Sequence, residues 1–296
     1  MLSDLSEIAI KVIAGPTASG KSALALEVAE QCNGEIVSID SMQLYRAIPI
    51  GTAQPDAHDL ARVPHHLVGI YEFSQRAEVY TFVEMAEKAI REIASRNRVP
   101  VLCGGTGLYL KSLLYGLDQL PGDDVLKKRL DMEYDDPSEL AKLQARLIEL
   151  GDKAVVEKFT NNRRRLIRAL EIRLLTGKSI LALQSEYKPA LRFKLLDAVR
   201  LEHDRSILQQ RIAQRTAVML KTGWIEEARC AIAAGLLESP TAHQALGYKL
   251  IDRYLQGEFD LATLEKLIVT ATWQYARRQL TWFRHQHPEL VAKVMS

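Results

Sequence analysis

Gly15-Pro16-Thr17-Ala18-Ser19-Gly20-Lys21-Ser22 matches G-x-x-x-x-G-K-[ST], the pattern of a phosphate-cradling loop. Its two glycines let successive backbone N–H groups turn toward one point, and a helix that follows adds the positive end of its dipole there. Lys21 supplies a point charge to phosphate oxygens, and the Ser22 hydroxyl is placed to ligate a Mg²⁺ that bridges them. The flanks agree: Ile8 to Ile13 reads as a buried strand, and Ala23 to Gln31 as a helix with apolar Leu24, Leu26 and Val28. The competing reading, a glycine-rich turn with a surface lysine, does not require that strand, loop and helix order.

The strand and helix around this loop imply an α/β fold with a parallel sheet, and the carboxyl ends of such strands face the ligand crevice. Glu35 to Ser41 reads as a second strand that delivers Asp40 and Ser41 to that rim; a turn-capping role is the alternative for Asp40. Met42 to Pro64 reads as irregular, and His65 to Ile70 as a short strand whose adjacent histidines point to opposite faces. Thr81 to Ala94 reads as a helix with Phe82, Met85, Ala89 and Ile93 on one stripe, leading into a buried strand, Val99 to Cys103. Gly104-Gly105-Thr106-Gly107 then forms a second glycine-rich strand-to-helix turn, with Thr106 at its polar tip.

From Leu117 to about Arg192 the texture turns charged and helical, which predicts an inserted all-helical domain; the expected domains are 1–117, 118–192 and 193–296. Asp136-Pro137-Ser138-Glu139 is a helix start, and Gly151 ends that helix. In the helix after Asn161-Asn162, Leu166, Ile167, Leu170 and Leu174 form the apolar stripe. Arg163, Arg164, Arg165 and Arg168 crowd the other side without balancing acids, either as a solvated face or as a clamp for a phosphate backbone. Phe193 to Leu201 restores the sheet. Asp204 caps the next helix, where Arg211 and Arg215 share a face and lean toward the phosphates. The rest reads as helical, broken near Gly223, Gly235 and Gly257. Its last long helix interleaves Trp273, Tyr275, Trp282 and Phe283 with Arg277, Arg278 and Arg284, a pattern that suits either RNA stacking or plain core packing.

Whole-chain properties add limits. The net charge of +2 over 296 residues announces no global nucleic-acid affinity, so any such site must be local. Three scattered cysteines, Cys32, Cys103 and Cys230, argue against a disulfide framework and a CxxC metal site. An acidic N-terminus without a membrane-length apolar run predicts a cytoplasmic protein with no membrane partner. Nothing in the sequence demands a dimer, and a monomer is expected.

In order along the chain, the Gly15–Ser22 loop, Asp40-Ser41 with Tyr45-Arg46, Gly51-Thr52-Ala53, Pro64-His65, Gly104-Gly105-Thr106, Arg165 to Glu171, Gly247-Tyr248-Lys249 and Ala276 to Arg284 resemble the tRNA dimethylallyltransferases. The resemblance implies transfer of a dimethylallyl group from dimethylallyl diphosphate to the N(6) amine of the adenosine at tRNA position 37, 3′ of the anticodon. It implies Asp40 as general base, Thr106 on the target nucleotide, and Lys21, Arg215 and Mg²⁺ on the diphosphate. It also implies contacts to the anticodon stem-loop from Asp40, Ser41, Met42, Gln43, Lys127, Arg164, Arg165, Leu166, Ile167, Arg168, Gln244, Ala245, Leu246, Gly247, Tyr248, Lys249, Arg277, Arg278 and Arg284. Gln54 and Asn162 depart from the family, which commonly has a lysine and an acid there. A small-molecule kinase, a free-adenylate isopentenyltransferase and a non-catalytic nucleotide-dependent RNA regulator are the alternatives. None of them needs both a carboxylate aimed at an adenine amine and an arginine-faced insertion.

Overall fold

A computed structural model describes residues 4–116, 120–186 and 190–295. Backbone packing divides the chain into two units, one of Met1–Gly116 with Leu191–Ser296, the other of Leu117–Ala190. The junction expected at 117/118 lies outside the described residues, while Leu191 and Arg192 stand with the first unit. Arg192 there donates its backbone N–H to Leu114 and pairs with Glu87 at 2.7 Å.

The first unit is built on a six-stranded sheet of β1 (Ala9–Ala14), β2 (Gly34–Ile39), β3 (His65–His66), β4 (Val99–Gly104), β5 (Lys194–Glu202) and β6 (Val291–Val294). Their order is β3-β2-β4-β1-β5-β6 and every pairing is parallel. Neighbouring residues of a strand face opposite ways, so Val37 and Leu102 pack into one core layer while Ile36 and Val101 pack into another. Burial on both faces explains why these strands read as continuous apolar runs. On one face lies α1 (Lys21–Gln31) through Ala25, Leu26 and Ala29. The other face carries α4 (Val79–Ser95) and α5 (Gly107–Tyr115). The buried stripe of α4 is Phe82, Ala86, Ile90 and Ile93, with Met85 only half-buried.

Three local expectations change. Met42 to Pro64 contains two short helices, α2 (Pro49–Thr52), with Pro49 in its first turn, and α3 (Ala57–Arg62), where Asp56 accepts from the Asp59 N–H at 2.8 Å. The strand expected over 65–70 stops at His66, because Leu67 and Gly69 take φ of 62° and 60°, outside the extended region. The C-terminal part is not helical throughout, since β6 adds a four-residue edge strand too short and too exposed to show a pattern.

The second unit holds α6 (Asp124–Glu133), α7 (Leu140–Glu149), α8 (Lys153–Phe159), α9 (Arg163–Thr176) and α10 (Ile180–Glu186) around their own core of Leu130, Leu143, Leu147, Leu166, Ile167 and Leu170. Asp136 caps a 3-10 turn that leads into α7, and Gly151 follows its end at a φ of 85°. Leu174, expected on the apolar stripe of α9, is 40% exposed because α9 is covered along Leu166–Leu170 rather than at its last turn.

After β5 the first unit continues with α11 (Arg205–Lys221), α12 (Trp224–Ala233), α13 (Tyr248–Leu255) and α14 (Leu261–Gln286). Asp204 occupies the N-cap position of α11, but its side chain makes no capping hydrogen bond. The three cysteines are free thiols. Among the described residues no helix is long and apolar enough to cross a membrane.

Candidate active site

The phosphate loop joins β1 to α1 at the carboxyl edge of the sheet. Ala18 and Gly20 take φ of 63° and 86°, and Gly20 is the N-cap of α1, so glycine supplies the left-handed turn that aims the helix start inward. The loop is braced from four directions. Gln279 Oε1 accepts from the Thr17 N–H at 2.9 Å, and Arg215 donates to Thr17 Oγ1 at 3.1 Å. Arg211 donates to the Ala18 carbonyl at 2.8 Å, and His203 Nε2 to the Ser19 carbonyl at 2.8 Å. Ser19 Oγ and His203 Nδ1 are buried without a hydrogen-bond partner.

Beside the loop is a cavity of about 400 Å³. Its lining includes the polar Lys21, Ser22, Asp40, Arg215 and Arg278 and the apolar Met42, Ile212, Met219, Trp224 and Leu246. Lys21 Nζ rests on the Pro16 carbonyl at 3.2 Å. Burial pushes the Lys21 ammonium below the usual lysine value, and the Asp40 carboxylate opposes this only in part. Burial lowers the Arg215 guanidinium as well, again with Asp40 opposing. Both cations are thus half-buried and short of negative charge, and an anion in the cavity relieves that cost. The Cys103 thiol nearby is pushed up to about 11 by burial and stays neutral.

Asp40 follows β2 directly. Its Oδ1 accepts from the Met42 N–H at 3.0 Å, which leaves the other oxygen for the cavity. Thr106 fastens this rim to the second glycine turn: its N–H donates to Ile39 O at 3.1 Å, and its Oγ1 accepts from the Ser41 N–H at 3.1 Å. Thr106 therefore braces Asp40 and does not line the cavity.

Several expected contacts have other work. Gln43 spends its amide inside the protein, accepting from Ser38 Oγ at 2.8 Å and donating to the Thr52 and Ala53 carbonyls. Gln54, the first departure, donates to the Gln43 and Tyr45 carbonyls and so locks the same loop. Tyr248 is fully buried, and Ala245 nearly so. The Tyr248 hydroxyl donates to Glu227, which also accepts from the N–H groups of Ile50 and Gly51 at 2.6 and 2.9 Å. This carboxylate clamp is invisible in the sequence, as is the Gln279 bridge. Gln244 and Leu246 do line the cavity, Gly247 packs against Trp224, and Lys249 is exposed.

On α14, Arg277 is exposed, Arg278 lies 5.8 Å from the Tyr275 ring centre at the cavity, and Arg284 is committed to Glu202 at 2.7 Å. Phe283 is core, the half-buried Trp273 ring lies under Arg205 at 5.6 Å, and Tyr275 lines the cavity, so core packing accounts for Phe283 and not for the whole set.

In the second unit the absence of balancing acids is corrected. Arg168 pairs with the buried Glu171 at 2.7 Å and donates to the Leu120 carbonyl, and Arg163 pairs with Asp135 at 3.2 Å. Leu166 and Ile167 are 0% and 3% exposed, so their side chains serve the core rather than a partner. Arg164, Arg165 and, on α6, Lys127 are exposed, with Arg165 lying 5.5 Å from the Phe159 ring centre. Asn162, the second departure, caps α9 by accepting from the Arg165 N–H at 3.2 Å.

Comparison with known proteins matches residues 43–286 to the IPP transferase family model and residues 8–67 to the isopentenyl transferase model. The tRNA dimethylallyltransferase 1 of Citrifermentans bemidjiense is 42% identical over 94% of this chain and 89% of its own length. The tRNA dimethylallyltransferase of Geobacter sulfurreducens is 41% identical over 94% and 90%. Among solved structures, the full-length tRNA isopentenylpyrophosphate transferase from Bacillus halodurans superposes with a TM-score of 0.70 at 34% identity, covering 98% of this chain and 90% of that one. A eukaryotic dimethylallyltransferase acting on tRNA superposes with a TM-score of 0.81 at 27% identity over 97% and 74%.

Proposed function

The chain belongs to the IPP transferase family of tRNA dimethylallyltransferases, and from that premise we propose how its crevice divides the work. The protein transfers a dimethylallyl group from dimethylallyl diphosphate to the N(6) amine of a tRNA adenosine and releases diphosphate. The observation that carries this reading is one cavity lined both by Lys21, Arg215 and Asp40 and by the apolar Met42, Ile212, Met219, Trp224 and Leu246.

Breaking the allylic C–O bond sends its electron pair to the diphosphate and leaves an allyl cation. The phosphate-loop amides, Lys21 and Arg215 stabilise the departing charge, and the desolvation that costs these cations stability strengthens their grip on an anion. The apolar lining residues take the five-carbon group and keep water from it. The N(6) lone pair then bonds the cationic carbon, and Asp40 accepts the amine proton through the oxygen that Met42 leaves free.

The residues present fit Mg²⁺. The Ser22 hydroxyl is a hard oxygen donor beside Lys21, and the thiol on the cavity wall, Cys103, is held neutral. When bound, Mg²⁺ supplies further positive charge to the diphosphate oxygens.

For the target adenosine we place the base at position 37 of the anticodon loop. It must leave its stack to reach Asp40, at a cost of a few kcal/mol that phosphate contacts elsewhere offset. Arg277, Arg278 and Lys249 in the first unit, and Arg164, Arg165 and Lys127 in the second, are the exposed cations available. Incubation with dimethylallyl diphosphate, ATP and bulk tRNA in parallel tests the assignment. The expected result is consumption of dimethylallyl diphosphate with a five-carbon mass gain on tRNA; ATP turnover without that gain would return the protein to the kinases.

A further inference from the structure

Gln279 stands in the middle of α14, 6% exposed, and its carboxamide serves two backbones that are distant in sequence. Oε1 accepts from Thr17 N–H, in the phosphate loop, at 2.9 Å; Nε2 donates to the Gly105 carbonyl, in the second glycine turn, at 2.9 Å. A Cβ on Gly105 would lie 2.4 Å from Nε2, so only glycine admits this approach. From Gly105 the chain runs straight to Thr106, which holds Ile39 O and Ser41 N–H on either side of Asp40. One planar amide thus spans the strand end that carries the leaving-group site and the turn that braces the base. Arg215 holds the other polar group of Thr17, its hydroxyl.

We infer that Gln279 is a positioning residue that sets the separation between the diphosphate and Asp40, and so decides whether the allyl cation is captured by the adenine amine or by water. The inference rests on the roles given above to Asp40 and the phosphate loop. After the C–O bond breaks toward diphosphate, two captures compete. With the amine in line, nitrogen bonds the carbon and its proton passes to Asp40. With the amine drawn out of line, a water oxygen in its place bonds the carbon, its proton goes to Asp40 or solvent, and free dimethylallyl alcohol forms. An amide that only satisfies buried backbone groups would contribute to stability and leave this ratio alone.

Gln279→Glu separates the two bonds. The carboxylate still accepts from Thr17 N–H, but it sets an oxygen against the Gly105 carbonyl. Gln279→Leu removes both bonds. For Gln279→Glu the expected result is weaker affinity for inorganic diphosphate, which the added carboxylate repels, kcat for tRNA prenylation lower by about 10²-fold, and the alcohol share of consumed dimethylallyl diphosphate higher by about tenfold. Gln279→Leu should show the same shift in product ratio together with weaker diphosphate binding. An unchanged alcohol share in whichever variant folds, at any turnover, overturns the inference. So does failure of both variants to fold, which would make the amide a core element only. Lys21→Ala, measured in parallel, keeps the underlying reading separate: wild-type consumption of dimethylallyl diphosphate there would remove the phosphate site itself, whatever Gln279 does.

Discussion

The cations at the phosphate loop and the arginines of α9 read alike in the sequence, and the structure treats them in opposite ways. Lys21 and Arg215, on the cavity wall, are each aimed at a neutral oxygen, the Pro16 carbonyl and the Thr17 hydroxyl. Arg163 and Arg168 on α9 meet carboxylates, Asp135 and Glu171. A cation that meets a carboxylate is already neutralised, and its loss is felt in stability. A cation left on a neutral oxygen at the cavity waits for an anion, and its loss is felt in binding and rate.

The sharpest way to test that contrast is at the acid near Lys21 and Arg215. Asp40→Asn keeps the shape and the Met42 hydrogen bond while removing the base, so prenylation turnover should fall by about 10²- to 10⁴-fold with tRNA affinity near wild type. Rapid-quench measurement of product formation decides this, and an active variant would reduce Asp40 to a turn cap. Next in size is Lys21→Ala, which should cost about 10²-fold or more in kcat/KM without lowering Tm, because the side chain gives up only a carbonyl contact. A lowered Tm with unchanged kinetics would place Lys21 on the stability side of the contrast.

Arg168→Ala should do the reverse. It strands Glu171, whose side chain is 1% exposed, but Arg168 is itself 37% exposed, so solvent limits the loss to about 1–3 kcal/mol of unfolding free energy for the helical unit. Urea denaturation followed through that unit measures it, and Glu171→Gln beside Arg168→Ala should recover part of the loss. The smallest effect belongs to Arg164 and Arg165, which meet no carboxylate among the described residues. Changing both to Ala should flatten the dependence of log K for tRNA on log salt by about one to two units and leave dimethylallyl diphosphate affinity unchanged. An unaltered slope would take α9 out of the RNA site.

What the sequence makes legible follows the reach of each interaction. The phosphate loop, Asp40 at a strand end and the paired Arg211 and Arg215 depend on contiguous backbone or helical spacing, so short windows reveal them. The clamp by Glu227 and the bridge by Gln279 join segments more than 170 residues apart, and no periodicity marks them. Tyr248, Leu166 and Ile167 show the opposite error. They sit inside motifs of the family, yet their side chains are buried, because a motif records a fold's needs together with a ligand's. Gln54 and Asn162, read as departures from the family, each make backbone hydrogen bonds that need no charge.

The reach of Gln279 also bears on the order in which the protein becomes competent. Thr17 leaves the ribosome 262 residues before the side chain that holds its amide, and β1 must wait for β5 across the whole helical unit before its second edge is paired. A nascent chain therefore exposes a glycine-rich loop with a free amide and an unzipped central strand for most of its synthesis, at about 5–20 residues per second. Assembly of the crevice is a late event by construction, slow for its high contact order. A reactive diphosphate accordingly meets the cations of the loop only after the helix that steadies them has been made.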